Sequence, residues 1–257
     1  MGGTKDLNIP DKKNVPFRRF LPNFVTIFGL CAGLTAVRAS MAGHYQSALY
    51  LLLLAMLLDA VDGKLARMLD STSQFGAELD SLADFFNFGV APTIILYQMF
   101  FKGTGFANFG WLALIIFTIA CMMRLARFNV ALLEEEEEPA DNRFFVGVPA
   151  PALALLGFLP AFLWLMGWSG ITAHPVIVAF YIIFAGGLAV SRIPTFSVKQ
   201  MSIPQEHQIW LFGGVVLFLI FLTVFPWHVL ALIDVLYLAS LPISYNAAKQ
   251  AGNQPQV

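Results

Sequence analysis

Charge is what this sequence has least of. Only 12% of its 257 residues are Asp, Glu, Lys or Arg, about half the roughly 25% usual in soluble domains. That is too little to cover a surface facing water. Hydrophobic residues reach 58%, including 25 Phe, and the mean hydropathy of +0.72 excludes intrinsic disorder. Neither sign of charge predominates, since 15 basic and 16 acidic residues leave a net charge of −1. Nothing in the bulk electrostatics draws the chain to nucleic acid, and none is expected as a partner. Cysteine is scarce too: Cys31 and Cys121 both lie inside apolar runs, so no disulfide framework is implied. No cleavable signal peptide is expected, because residues 1–19 are polar and carry Pro10 and Pro16. No internal repeat is present. Together these absences leave an integral membrane protein.

What is there is apolar and periodic. About eight runs approach the ~20 residues needed to cross hydrocarbon, at roughly 20–40, 46–67, 84–101, 109–128, 150–167, 174–191, 209–226 and 228–245. The predicted fold is all-α and polytopic. With the N-terminus inside, 13 of the 15 basic residues fall on the cytoplasmic side and only Arg38 and Lys102 outside. That asymmetry places both termini in the cytoplasm of a multi-pass inner-membrane protein. The basic stretch Lys12–Phe20 suits either a topology-setting flank or a segment lying along anionic headgroups. Glu134–Glu138 reads as a solvated, self-repelling linker, and 247–257 as a tail.

Polar chemistry concentrates between Asp59 and Asp84. At ~100° per residue, Asp59, Asp62, Gly63, Ala66 and Arg67 share an arc of about 140° on one helix. Gly76, Asp80 and Asp84 recur every four residues as a stripe on the next helix. The short connection Met68–Phe75 makes the two helices antiparallel neighbours, so four carboxylates converge on one point. Unpaired, each would cost at least ~2.5–3.5 kcal/mol in the bilayer centre, and together they would repel one another. One or two divalent cations remove both problems. Carboxylate-only ligands suit Mg²⁺ or Mn²⁺, and no nearby His or Cys favours zinc. Paired hard ions in turn suit diphosphate chemistry. Gly63 and Ala66 leave room for a flat group such as a nucleotide on the acidic face, and Arg67 can pair with phosphate in a bidentate way. Interfacial anchoring or close helix packing would explain any one of these residues, but not eight of them on facing sides.

The pattern D-x2-D-G-x2-A-R-x8-G-x3-D-x3-D, filled by Asp59, Asp62, Gly63, Ala66, Arg67, Gly76, Asp80 and Asp84, resembles the CDP-alcohol phosphatidyltransferase signature at every fixed position. The resemblance implies a homodimeric membrane enzyme that transfers a phosphatidyl group from a CDP-alcohol to a hydroxyl and releases CMP. It implies that Asp59, Asp62 and Asp80 bind a pair of divalent ions, with Asp84 completing that site and acting as general base. Gly63, Arg67 and Ser73 would contact the CDP moiety, with Ala66 and Gly76 beside it. Asn23 and Thr26, in Pro22-Asn23-Phe24-Val25-Thr26, resemble the family's first-helix segment that faces the cytidine.

Three further stretches, Arg124–Asn129, Phe145–Pro151 and Ser191–Lys199, resemble the membrane-integral bacterial phosphatidylserine synthases within that family. They imply CDP-diacylglycerol and L-serine as substrates. On this reading 1–19 is a basic N-terminal segment, 20–200 the core of about six spans, and 201–246 two additional spans. One departure is Asn87, where the family pattern would place Ser. A serine carboxylate needs a cation beside the metal site; Arg124 and Arg127 at the cytoplasmic end of the fourth span are the first candidates, and Arg192 and Lys199, flanking the end of the sixth, could also bind it. Glycerol 3-phosphate or inositol phosphate would also want basic groups, and choline an aromatic cage. An intramembrane prenyltransferase would also carry aspartate-rich helix ends, and a cation transporter would place carboxylates in its spans.

Overall fold

The computed structural model describes residues 20–71, 73–135, 144–168, 170, 173–191, 194–196 and 208–250. The N-terminal basic segment, Glu136–Glu138, Arg192, Lys199 and the tail beyond 250 lie outside the described residues. Among the described residues the long helices are α1 (Leu21–Met41), α2 (Tyr45–Met68), α3 (Gln74–Phe101), α4 (Ala107–Glu135), α5 (Ala150–Leu165), α6 (Pro175–Val190), α7 (Gln208–Val224) and α8 (Pro226–Gln250). Proline sits in the first turn of α1, α5 and α6, where its missing N–H costs no helical hydrogen bond. Ser73 caps α3, its hydroxyl accepting from the Gly76 N–H at 3.0 Å.

Helix α3 is one rod with two π turns, Phe85–Val90 and Tyr97–Phe101. Pro92 has no N–H to offer Phe88, and in the turn before it the Ala91 N–H reaches back five residues to Phe86. The slip begins directly after Asp84, so the residues beyond it are turned off the Gly76–Asp80–Asp84 stripe.

Helix α1 is the organiser of the acidic end. It lies along α2 and also seats the first half of α3, while α2 and that half of α3 make little contact with each other. The neighbours expected from sequence are thus joined through α1, and α2 and α3 approach each other through their acidic side chains rather than their backbones. Elsewhere α4 packs closely on α6, and α5 on α8. Phe88, Phe101, Phe117, Phe158 and Phe162 are fully buried between them.

Two short strands interrupt the all-α expectation. β1 (Phe144–Val146) pairs antiparallel with β2 (Pro194–Phe196), Phe145 opposite Thr195. The ribbon ties the chain entering α5 to the chain leaving α6.

Among the described residues, four helical stretches are long and apolar enough to cross a membrane by length and composition: Leu21–Met41, Gln74–Phe101, Ala107–Ala131 and Pro226–Tyr245. Helices α5 and α6, at 16 residues each, are apolar but shorter. Large apolar side chains such as Phe28, Phe180 and Leu236 point outward, a surface that suits lipid.

Candidate active site

The acids of α2 and α3 meet. Ligand oxygens of Asp59, Asp62 and Asp80 all lie within 4.8 Å of one another. Asp84 stands beside them, its carboxyl close enough to those of Asp59, Asp80 and Asp62 to feel their charge, a crowding of like charges that a shared proton or a cation relieves. Asp62 is 3% exposed. One buried oxygen on each of Asp62, Asp80 and Asp84 has no hydrogen-bond partner. Leaving buried carboxylate oxygens unpaired is costly, so the donor set fits a hard divalent cation held by carboxylates alone.

Helix α1 orients this cluster. The Thr26 hydroxyl donates to Asp62 Oδ2 at 2.6 Å and lies 3.2 Å from its own Pro22 carbonyl. Thr26, expected from the family resemblance to face the cytidine, stands directly behind a carboxylate of the acidic cluster. Asn23 packs on α3: a Cβ at Gly76 would stand 3.0 Å from Asn23 Oδ1 and 3.1 Å from Ser73 Oγ. Gly76 is thus explained by the close approach of α1.

Gly63 has no such explanation. Among the described residues, a Cβ there would meet nothing within 4 Å beyond its own stretch of helix, although a mid-helix glycine costs about 0.8–1 kcal/mol relative to Ala. Beside it Arg67 is exposed and donates from Nε to the Gly63 carbonyl at 3.2 Å, and Ala66 is half-buried. The α2 face bearing the acids is open on the side where small residues were expected to admit a nucleotide.

Comparison with known proteins bears on what that opening admits. Residues 19–185 match the family model for CDP-alcohol phosphatidyltransferase. The chain belongs to the CDP-alcohol phosphatidyltransferase family. A further model, CDP-alcohol phosphatidyltransferase 2, matches residues 209–242. Relatives include the CDP-diacylglycerol–serine O-phosphatidyltransferase of Mycobacterium leprae, 32% identical over 93% of this chain and 78% of that protein. The protein of the same name from Mycobacterium tuberculosis is 31% identical over 93% and 82%, and that from Helicobacter pylori is 36% identical over 52% and 54%.

In this member of the phosphatidyltransferase family the three additional stretches singled out in the sequence come together. Arg124 Nε donates to the Val148 carbonyl at 3.0 Å, and Arg127 Nη1 donates to the Val190 carbonyl at 3.2 Å. Asn129 Nδ2 donates to Ser81 Oγ at 3.0 Å, which ties α4 to the helix carrying Asp80 and Asp84. Gly147 closes the arrangement with φ of +79°, and a Cβ there would stand 2.8 Å from the Ser191 carbonyl oxygen. Only glycine meets both demands. Arg124 is 6% exposed, and its guanidinium lies 6.0 Å over the Phe128 ring.

Sequence reasoning missed the Asn129–Ser81 link and the buried Cys121 thiol, 3.4 Å from the Cβ position of Gly89. It also passed over Asp234 and Tyr237 on α8. Their signal was present: an aspartate and a tyrosine three residues apart in an otherwise apolar span.

Proposed function

We propose that this enzyme transfers the phosphatidyl group of CDP-diacylglycerol to L-serine, giving phosphatidylserine and CMP. The observation that carries the reading is the convergence of Asp59, Asp62 and Asp80 within 4.8 Å beside an α2 face kept open at Gly63. Relatives named for the serine reaction support the acceptor. So does Arg124, a buried guanidinium that among the described residues meets the neutral Val148 carbonyl and the Phe128 ring. A buried cation without an anion is costly, and a substrate carboxylate supplies one.

Mg²⁺ or Mn²⁺, as two ions held by Asp59, Asp62, Asp80 and Asp84, supplies charge neutralisation at the diphosphate when bound. Gly63 and Ala66 admit the CDP moiety, Arg67 and Ser73 contact it, and Asn23 and Gly76 shape its α1 side. The acyl chains remain in lipid. Asp84 takes the proton of the serine hydroxyl as that oxygen attacks the phosphorus bearing diacylglycerol. The bond from this phosphorus to the bridging oxygen breaks in line, and CMP departs with that oxygen while Arg67 stabilises its charge. Arg124 and Arg127 hold the serine carboxylate. The eight helices span the inner membrane with both termini and the site cytoplasmic, following the distribution of Lys and Arg, and the enzyme works as a homodimer.

The test is metal-dependent CMP release from CDP-diacylglycerol by protein in detergent, with serine, inositol phosphate, glycerol 3-phosphate and choline supplied separately. Release with serine alone is expected. Release only with another acceptor would discard the serine reading, and no release from folded protein would favour a prenyltransferase or a transporter.

Two variants probe the parts. Thr26→Val removes the donor to Asp62 and should raise the metal concentration for half-maximal activity about tenfold or more, with a matching loss of metal-induced thermal stabilisation. An unchanged requirement would free Asp62 from Thr26. Arg124→Ala should raise the apparent KM for serine with little change in that for CDP-diacylglycerol, and an unchanged serine KM would remove Arg124 from the acceptor site.

A further inference from the structure

Asn87 is the only polar residue of the π turn that follows Asp84. It is 2% exposed, and among the described residues its Oδ1 has no hydrogen-bond partner. A buried carboxamide oxygen left unpaired is costly, so its presence calls for an explanation. The carboxamide fills a notch in α1. A Cβ at Gly33 would collide with Asn87 Oδ1, and would stand 3.2 Å from Asn87 Cγ and 3.4 Å from Phe86 Cε1. One turn earlier, a Cβ at Gly29 would stand 3.9 Å from Asn87 Nδ2 and 3.5 Å from the Ala55 carbonyl oxygen of α2. Neither glycine has a positive φ. What the contact uses is the missing side chain, which lets two membrane helices approach closely.

The same face of α1 carries Asn23 against Gly76 and Thr26 against Asp62. Helix α1 therefore grips α3 on both sides of its acids, at Gly76 one turn before Asp80 and at Asn87 three residues beyond Asp84.

We propose that Asn87 is a positioning residue for Asp84: seated in the Gly33 notch, it fixes the height and rotation of α3 on α1 and so aims the Asp84 carboxyl at the acceptor hydroxyl. The inference rests on Asp84 as the base of the proposed reaction. Since α2 and the acidic half of α3 make little contact with each other, α1 is the frame common to both. Asp62 is held on that frame through Thr26, and Asp84 through Asn87 in the turn directly after it. One helix thus sets the acids of two others relative to each other, and a base placed within an ångström is what an in-line attack requires.

Exchanging size across the notch tests this in the full-length enzyme. Asn87→Ala removes the carboxamide together with its unpaired oxygen, so the thermal unfolding midpoint should move little. Its kcat for CMP release should nevertheless fall about tenfold or more, with the CDP-diacylglycerol KM within about twofold of wild type. Gly33→Ala should lower both kcat and the unfolding midpoint, because the new methyl group has to displace the carboxamide. Combining the two puts that methyl where the carboxamide was, and should return kcat to at least about threefold above either single variant. Wild-type kcat in Asn87→Ala, or a double variant no faster than the singles, would overturn the proposal. Should Gly33→Ala fail to fold, the kcat and KM of Asn87→Ala decide by themselves. Asp84→Asn, assayed beside them, separates two failures. A slow Asp84→Asn with a fast Asn87→Ala removes the positioning role alone, whereas a fast Asp84→Asn removes the base assignment and the proposal with it.

Discussion

Asp84→Asn should lower turnover by about two orders of magnitude or more while CDP-lipid binding survives. The substitution conserves shape, so what changes is charge and basicity. Asp84 is the last residue before the π turn of α3, and it lies against Asp59 with one buried oxygen unpaired. An amide there keeps the packing and removes one of four crowded negative charges, so the folded state loses nothing it depends on. It cannot accept the proton of an incoming hydroxyl. The measurement is CMP release at saturating serine, beside CDP-diacylglycerol binding to the same preparation. A rate above a tenth of wild type would remove Asp84 from the role of base.

Gly63→Leu should separate stability from activity. Helix propensity favours Leu over Gly by about 0.8 kcal/mol, and among the described residues nothing beyond its own stretch of helix lies within 4 Å of the added Cβ, so the unfolding temperature should hold or rise. If that open volume belongs to the CDP moiety, the KM for CDP-diacylglycerol should increase at least about tenfold, since displacing a bound substrate by an ångström is enough to cost more than that. Gly76→Ala gives the opposite pattern. Its Cβ must displace Asn23 and Ser73, and both stability and activity should fall. Equal CDP-lipid KM values for Gly63→Leu and wild type would show that the nucleotide binds elsewhere.

The acidic site was largely legible in the sequence because its grammar is local. Helical spacing alone put Asp59 and Asp62 on one face and Gly76, Asp80 and Asp84 on another, and four acids in an apolar chain demand compensation. The composition excluded a soluble fold for an equally local reason, since charge that is absent from the chain cannot be supplied by folding. Other features depended on contacts between distant segments. Nothing near Thr26 says that its hydroxyl bonds to Asp62, 36 residues away. Nor does spacing say that Gly76 makes room for Asn23 whereas Gly63 faces open space.

The surroundings of Arg124 and Arg127 were decided by tertiary structure alone. Arg124 and Arg127 read as two basic residues at the end of a span, which topology by itself would place there. Their meaning comes from carbonyls 24 and 63 residues away, from a glycine turn pressed against the end of α6, and from a C-terminal helix leaning on the ribbon. Sequence determined that this protein lives in a membrane and gathers acids for a cation and a diphosphate, because periodicity and composition act within one helix. Which residues restrain the Arg124 guanidinium depends on how helices α4, α5 and α6 pack, and packing is a property of the whole chain.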